Sequence, residues 1–365
     1  MNKIILEYVW LDGYQTPNLR SKIKVMDWDG DPEEFDCCDI PEWNFDGSST
    51  KQAPGSESEC LLKPVRLYTS GFGRHLVMCE VMNSDGTPHR SNKRSTLRGT
   101  LDNTEDREFW WGFEQEYFIT KGFKPLGFPD GGYPKPQGLY YCGVGGNQVV
   151  GREMVNHHMH ECLHHGMDIT GVNAEVAVGQ WEYQCFNTDT LKACDDLWMS
   201  RYIMQRLTEE FNVSVNWHPK PIEGDWNGSG MHTNFSTKEM RELHPKPVKG
   251  NWNGSGCHTN FSTKEMRTTG GQVYIENLMT NFKTNHAQHI AGYGEGNEQR
   301  LTGDHETQRI DTFTWGVGDR GASIRVPNAM VRDNWIGYIE DRRPASNCDP
   351  YKVANLIITT TGRKP

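Results

Sequence analysis

Five glutamates and a histidine, set in short motifs, are the residues of this chain best equipped for chemistry. Glu114 and Glu116 flank Gln115. Glu175 and Glu182 lie in Asn-Ala-Glu-Val-Ala-Val-Gly-Gln-Trp-Glu, and Glu340 opens Glu-Asp-Arg-Arg-Pro. The histidine stands in Gly-x-His-Thr-Asn-Phe, which occurs twice, at His232 and at His258. Carboxylates that converge cannot all stay ionised without a partner. Oxygen-rich ligation with one imidazole suits Mg²⁺ or Mn²⁺ better than Zn²⁺. Arg300, Arg320, Arg325, Arg342 and Arg343 gather in the last quarter of the chain. Guanidinium forks among Gly, Ser, Ile and Val point to a bound anion beside the metal.

Spacing says how these groups must be presented. Glu114 and Glu116 are two apart on an expected strand, so both project from one face. Glu175 and Glu182 would face opposite sides of one unbroken strand. Gly179 permits a turn that folds them back towards each other. Two cations in such a cage form the clamp used in phosphoryl transfer. The segment Leu301 to Thr307 follows the glycine-rich Gly292 to Gly296 and carries Glu306, which reads as a loop able to close over a substrate.

The elements that must hold these residues are partly legible. Ile4, Leu6, Tyr8 and Trp10 alternate as a strand, and Leu76 to Val81 is a second. Between them, Trp43 to Thr50 is a turn-rich loop with Asp46. The polar stretch from Ser91 to Arg107 reads as the domain boundary. Beyond it, Trp111 to Ile119 reads as a strand, and Val172 to Tyr183 as strand, turn and strand. Met154, His158 and Cys162 mark a helix ended by Gly166, and Leu191 to Phe211 a long amphipathic helix. Val213 to Trp217 and Ser323 to Pro327 read as strands, and Val353 to Ile358 as a helical stripe. The pattern is α+β or α/β, with the ligands on strands.

At 365 residues the chain is long enough for two domains. A formal charge of −10 without a basic tract argues against nucleic acid or an anionic membrane as partner. No apolar run reaches spanning length, and the first residues lack the apolar core of a signal peptide. Ten scattered cysteines without a CxxC pair fit reduced thiols in a cytoplasmic enzyme.

The chain also repeats itself. His218–Arg241 recurs as His244–Arg267, offset by 26 residues, with only four differences: Ile222/Val248, Glu223/Lys249, Asp225/Asn251 and Met231/Cys257. Two units do not make a solenoid, so a local tandem duplication is expected. A closed cation site has room for one of the two histidines. His232 is favoured because its copy directly follows the expected strand at Val213 to Trp217.

Seven ordered motifs carry a family resemblance: WNFDGSST, GFEQEY, NAEVAVGQWEYQ, WNGSG-x-HTNFST, QRLTG-x-HET, DRGASIR and EDRRPASNCDPY. Together they resemble glutamine synthetase, of the shorter type found in eukaryotes and some bacteria, through almost the whole chain. The resemblance implies an α+β fold, with a β-grasp domain at 1–90. The catalytic domain at 91–365 would have a curved antiparallel sheet and flanking helices. It implies ATP-dependent ligation of ammonia to L-glutamate through γ-glutamyl phosphate. The enzyme would be a cytoplasmic homo-oligomer, a decamer of two rings with active sites between subunits.

The resemblance also implies roles for single residues. Glu116, Glu175 and Glu182 would hold one cation. Glu114, Glu340 and His232 or His258 would hold a second. Arg300 and Arg342 would orient glutamate and the transferred phosphate, and Arg320 and Arg325 would grip nucleotide phosphates. Asn227-Gly228 or Asn253-Gly254 would contact the amino acid. Trp110 and Ser236 or Ser262 would lie near the nucleotide. Asp46, from the adjacent subunit, would bind ammonium and take its proton, and Glu306 would close the flap.

Three other readings compete. His160-Glu161-Cys162-Leu163-His164 fits the zinc-protease pattern H-E-x-x-H, but Cys162 and Leu163 belong to an apolar stripe and no third ligand motif comes after it. A γ-glutamyl ligase using another amine would share these motifs. So would an inactive scaffold, for which the duplication is the best argument.

Overall fold

The computed structural model describes residues 2–30, 34–69, 74–104, 107–122, 124–130, 134–135, 139–221, 231–232 and 259–362. The alternation at the start of the chain becomes β1 (Asn2–Leu11), followed by β2 (Leu19–Trp28), β3 (Trp43–Asp46), β4 (Glu59–Thr69) and β5 (Arg74–Asn83). These strands form one sheet in the order β2-β1-β5-β4-β3, antiparallel except where β1 meets β5. Ile4, Leu6, Tyr8 and Trp10 bury one face of β1 with Leu62, Val77 and Val81. The other face is not left to solvent, because Val9, Leu76 and Met78 pack into the core of the rest of the molecule.

The polar stretch after β5 contains a helix, α1 (Lys93–Asp102). Asn92 starts it by accepting the Ser95 amide at 2.9 Å, which satisfies one of the orphan donors of the first turn. Then come β6 (Trp110–Lys121), β7 (Lys124–Pro125), α2 (Arg152–His164), β8 (Ile169–Ala174), β9 (Gln180–Asn187) and α3 (Thr190–Phe211). Next are β10 (Ser214–Asn216), β11 (Met231–His232), β12 (Thr259–Ser262), α4 (Lys264–Thr268), α5 (Gln272–Thr284) and α6 (His286–Gly292). The chain closes with β13 (Trp315–Val317), β14 (Ile324–Val326), α7 (Asn328–Arg332), β15 (Ile339–Asp341) and α8 (Pro350–Thr361).

The second sheet runs β13-β14-β15-β12-β6-β9-β8, with β7, β10 and β11 also paired to β6. Only β13 and β14 are parallel neighbours. The architecture is therefore α+β, as the sequence led us to expect. On β6 the odd positions Trp111, Phe113, Tyr117 and Ile119 enter the core, with Trp181, Tyr183 and Cys185 of β9. Helix α3 backs them with Leu197, Met204 and Leu207. Period-2 geometry then forces the even positions of both strands onto the opposite face.

Helix α3 also fastens the first sheet to the second. Asp195 accepts from Arg66 Nε and from Arg94 Nε, each at 2.8 Å, and Asp196 accepts from the Tyr68 hydroxyl at 2.9 Å. Glu7 of β1 accepts from Arg206 at 3.0 Å and from the Tyr202 hydroxyl. Asp195 and Arg94 are both buried, so removing one partner of that pair costs about 3–5 kcal/mol.

Candidate active site

The even face of β6 carries Trp110, Glu114 and Glu116. Glu116 is the direct cross-strand partner of Glu182, and Glu114 that of Gln184. The expected turn at Gly179 is present, with φ 80°. The Glu175 amide donates to the Gln180 carbonyl at 3.0 Å and closes the β8–β9 connection. Glu175 and Glu182 therefore face each other across a hairpin. One oxygen each from Glu116, Glu175 and Glu182 lies within 4.8 Å of the other two, and all three residues are buried.

A second group joins along the sheet. Arg325 of β14 stands opposite Glu340 of β15, and Asn260 of β12 lies between Glu340 and Gly112. Glu340 accepts from Arg342 Nη1 at 2.8 Å and from Arg325 Nε. Arg342 also donates to the Glu306 carbonyl at 3.3 Å, and Arg320 stands 3.9 Å from the Glu306 carboxylate. Glu306 holds a left-handed backbone at φ 57°, a conformation that non-glycine residues adopt only when their surroundings dictate it. His232 occupies the register position opposite Glu114.

Electrostatics in this hollow are unbalanced in a way that favours a cation. Burial, then Glu182 and Glu340, push the Glu114 carboxyl well above the usual range. Burial, then Glu182, does the same to Glu175. Burial raises Glu182 to about 7, although Gln184 opposes the shift with a hydrogen bond. The Arg342 guanidinium is lowered to about 10, chiefly by burial. The three buried carboxylates of Glu116, Glu175 and Glu182, with mutually close oxygens, suit a hard divalent ion, which would hold Glu175 and Glu182 in their charged state.

Polar residues outside the expected set orient these acids. Gln180 donates to Glu116 at 3.2 Å, Gln184 to Glu182 at 2.8 Å and Asn173 to Glu175 at 2.9 Å. The signal for two of them was in the sequence, since Gln180, Glu182 and Gln184 share one strand phase. Such partners fix ligand geometry.

Other expected residues are placed differently. The Arg300 guanidinium is buried and donates to the carbonyls of Arg342, Arg343 and Pro344, at 3.1, 2.7 and 3.1 Å from Nη2. It shapes the loop after β15. Arg343 does not join the site face; it pairs with Asp341 at 2.7 Å inside the core. Trp110 carries the Arg267 guanidinium 4.2 Å above its ring. The Ser262 hydroxyl donates to the Gly337 carbonyl at 2.9 Å. Asp46 is exposed at the end of β3, at the edge of the first sheet. Side-chain bonds from Ser48 and Ser49, with the Ser48 amide, lower its carboxyl to about 2. On α2, His160 and His164 are exposed while Cys162 is buried. Asn227, Gly228, Ser236, Asn253, Gly254 and His258 lie outside the described residues.

Comparison with known proteins decides the family. Residues 90–242 match the glutamine synthetase catalytic domain. A glutamine synthetase of Bradyrhizobium diazoefficiens is 47% identical over 372 residues, covering 100% of this chain and 98% of that protein. One from Saccharomyces cerevisiae is 44% identical over 363 residues, covering 98% of this chain and 89% of that protein. This chain belongs to the glutamine synthetase family. Its fold matches the cryo-EM structure of Plasmodium falciparum glutamine synthetase with a TM-score of 0.71 at 15% identity, over 98% of this chain and 71% of that one. Among the described residues, no helix is long and apolar enough to cross a membrane. In this member of the glutamine synthetase family, Glu116, Glu175 and Glu182 form the one group of three or more His, Cys, Asp or Glu residues suited to a metal ion among the described residues.

Proposed function

We propose that the protein joins ammonia to L-glutamate at the expense of ATP, through γ-glutamyl phosphate. The observation that carries this reading is the buried cage of Glu116, Glu175 and Glu182, on one face with Arg325, Glu340 and Arg342, in a chain alike over its full length to glutamine synthetases.

Glu116, Glu175 and Glu182 would hold a divalent cation, Mg²⁺ or Mn²⁺, and Glu114, Glu340 and His232 would hold another. Such cations would supply positive charge for the transferred phosphoryl group. A carboxylate is a poor acyl donor because its oxygen leaves badly, and phosphorylation makes that oxygen a good leaving group. Arg342 and Arg325 stay charged and, fixed by Glu340, face the developing negative charge without reorganising. Arg320 grips nucleotide phosphate, and Trp110, with Ser262 behind it, borders the nucleotide. Arg300 acts on glutamate by shaping the loop that carries Arg342. Glu306 closes the flap and excludes water, which would otherwise hydrolyse the acyl phosphate.

Ammonium has no lone pair to attack with, so a carboxylate must hold and deprotonate it. Asp46 suits this role as an exposed anion presented to a neighbouring subunit. That requires a ring assembly with sites between subunits, which we take to be a cytoplasmic decamer of two pentameric rings.

The test is direct. The purified protein with ATP, glutamate, ammonium and Mg²⁺ or Mn²⁺ should form glutamine, ADP and phosphate in equal amounts, and chelation should stop it. Phosphate release without glutamine, or release supported only by another primary amine, would sink this reading.

A further inference from the structure

One edge of β6 carries β10 and then two short strands, β11 and β12, that abut in register although their residues do not follow each other in the chain. Met231 and His232 pair with Gln115 and Glu114, and Thr259 to Ser262 pair with Phe113 to Trp110. The register passes without a gap from His232 opposite Glu114 to Thr259 opposite Phe113. Yet the residue after His232 in sequence is Thr233. Thr259 is its counterpart in the second copy of the repeat, offset by 26 residues.

We propose that this strand is a composite of the two copies: the first supplies it through His232, the second from Thr259. His232 and Thr259 are then neighbours in register on β6, although one whole repeat unit, 233–258, stands between them in the sequence. A slip of one residue would turn every side chain to the wrong face. An offset equal to the repeat keeps both phase and identity. From Thr259 onward the second copy also supplies the packing. Phe261 is buried in the core, 6.3 Å from Trp111 and 5.6 Å from Phe282 between ring centroids. Ser262 takes the position opposite Trp110. Thr263 caps α4 and Met266 is buried beneath it.

The activity arm of the test rests on the ligase reading; the stability arms do not. Deleting 233–258 joins His232 to Thr259 and leaves one copy. The shortened protein should fold, keep a melting temperature at or above that of the full chain, and make glutamine at least as fast. In the full chain, Phe261→Ala should lower the melting temperature by about 5–10 °C. Phe235→Ala, at the same place in the first copy, should shift it by less than about 1 °C. Phe235→Ala as damaging as Phe261→Ala, or a shortened chain that does not fold, would overturn the composite strand. A shortened chain that folds and binds Mn²⁺ but makes no glutamine would support the composite strand and count against the ligase reading.

Discussion

Glu116 and Glu182 are direct cross-strand partners on β6 and β9, and both are buried on the same face of the sheet. Like charges placed opposite each other destabilise a sheet. A proton on Glu182 relieves the pair in the metal-free protein, and a cation between the two would do so with both carboxylates charged. In the metal-free protein, Glu182→Gln should raise stability at pH 8, on the order of 1–3 kcal/mol, by removing a buried charge. The same change should weaken Mn²⁺ binding and lower kcat by about 10²-fold or more. Thermal melts with and without Mn²⁺, alongside steady-state kinetics, check both signs.

The pH dependence arises from the same carboxyl. Glu182 rises from an ordinary 4.5 to about 7 on folding, so the native metal-free protein holds that proton more tightly than the unfolded chain does. This contribution to stability is complete below about pH 4.5 and is lost as the pH rises through about 7. Metal displaces the proton. Titration of Mn²⁺ near pH 6.5 in buffers of different ionisation enthalpy should therefore reveal proton release, and affinity should fall as the pH drops from about 7 to about 5. A pH-independent affinity over that range would contradict the cage.

Arg325 and Arg342 clamp Glu340 from two sides. Arg325→Met takes one guanidinium away from the buried Glu340 and removes a fixed positive charge from the site. We expect kcat for glutamine formation to fall by about 10²–10³-fold, with a raised KM for ATP. Arg325→Lys should recover only part of this, because an ammonium cannot reproduce the planar fork.

Asp46 is exposed and an asparagine oxygen can still cap the Ser48 amide, so Asp46→Asn should change the melting temperature by no more than about 2 °C. Its effect should appear in the KM for ammonium, raised about 10-fold or more, because the neutral amide no longer attracts a cation or takes its proton. Hydroxylamine is uncharged at neutral pH and should suffer less. Equal losses with both nucleophiles would show that Asp46 does not handle the ammonium proton.

Arg300 satisfies three consecutive carbonyls after β15. Arg300→Ala should destabilise the protein by about 2–4 kcal/mol, since those buried acceptors lose their donor. Activity should fall with it. Urea unfolding, read against KM for glutamate, separates the loop's collapse from loss of a direct substrate contact.

The sequence by itself determined much of the site. The two-residue spacing of Glu114 and Glu116 fixed their common face, and the glycine between Glu175 and Glu182 allowed the hairpin that brings them together. Local chemistry sufficed because each depends only on strand period or turn conformation. Tertiary structure decided the rest. Arg300 and Arg343 read like Arg325 and Arg342 in a linear string, but the phase of β15 sends Arg342 to the site and the core claims Arg343. The polar stretch after β5 read as a domain boundary without its own element, and the cap at Asn92 and the burial of Leu97 set a helix within it. Which copy of the repeat lies against each residue of β6 is likewise not written in either copy, because the two differ at only four positions and nearly identical sequences have nearly identical preferences. Only pairing with β6, which fixes position in space, separates them.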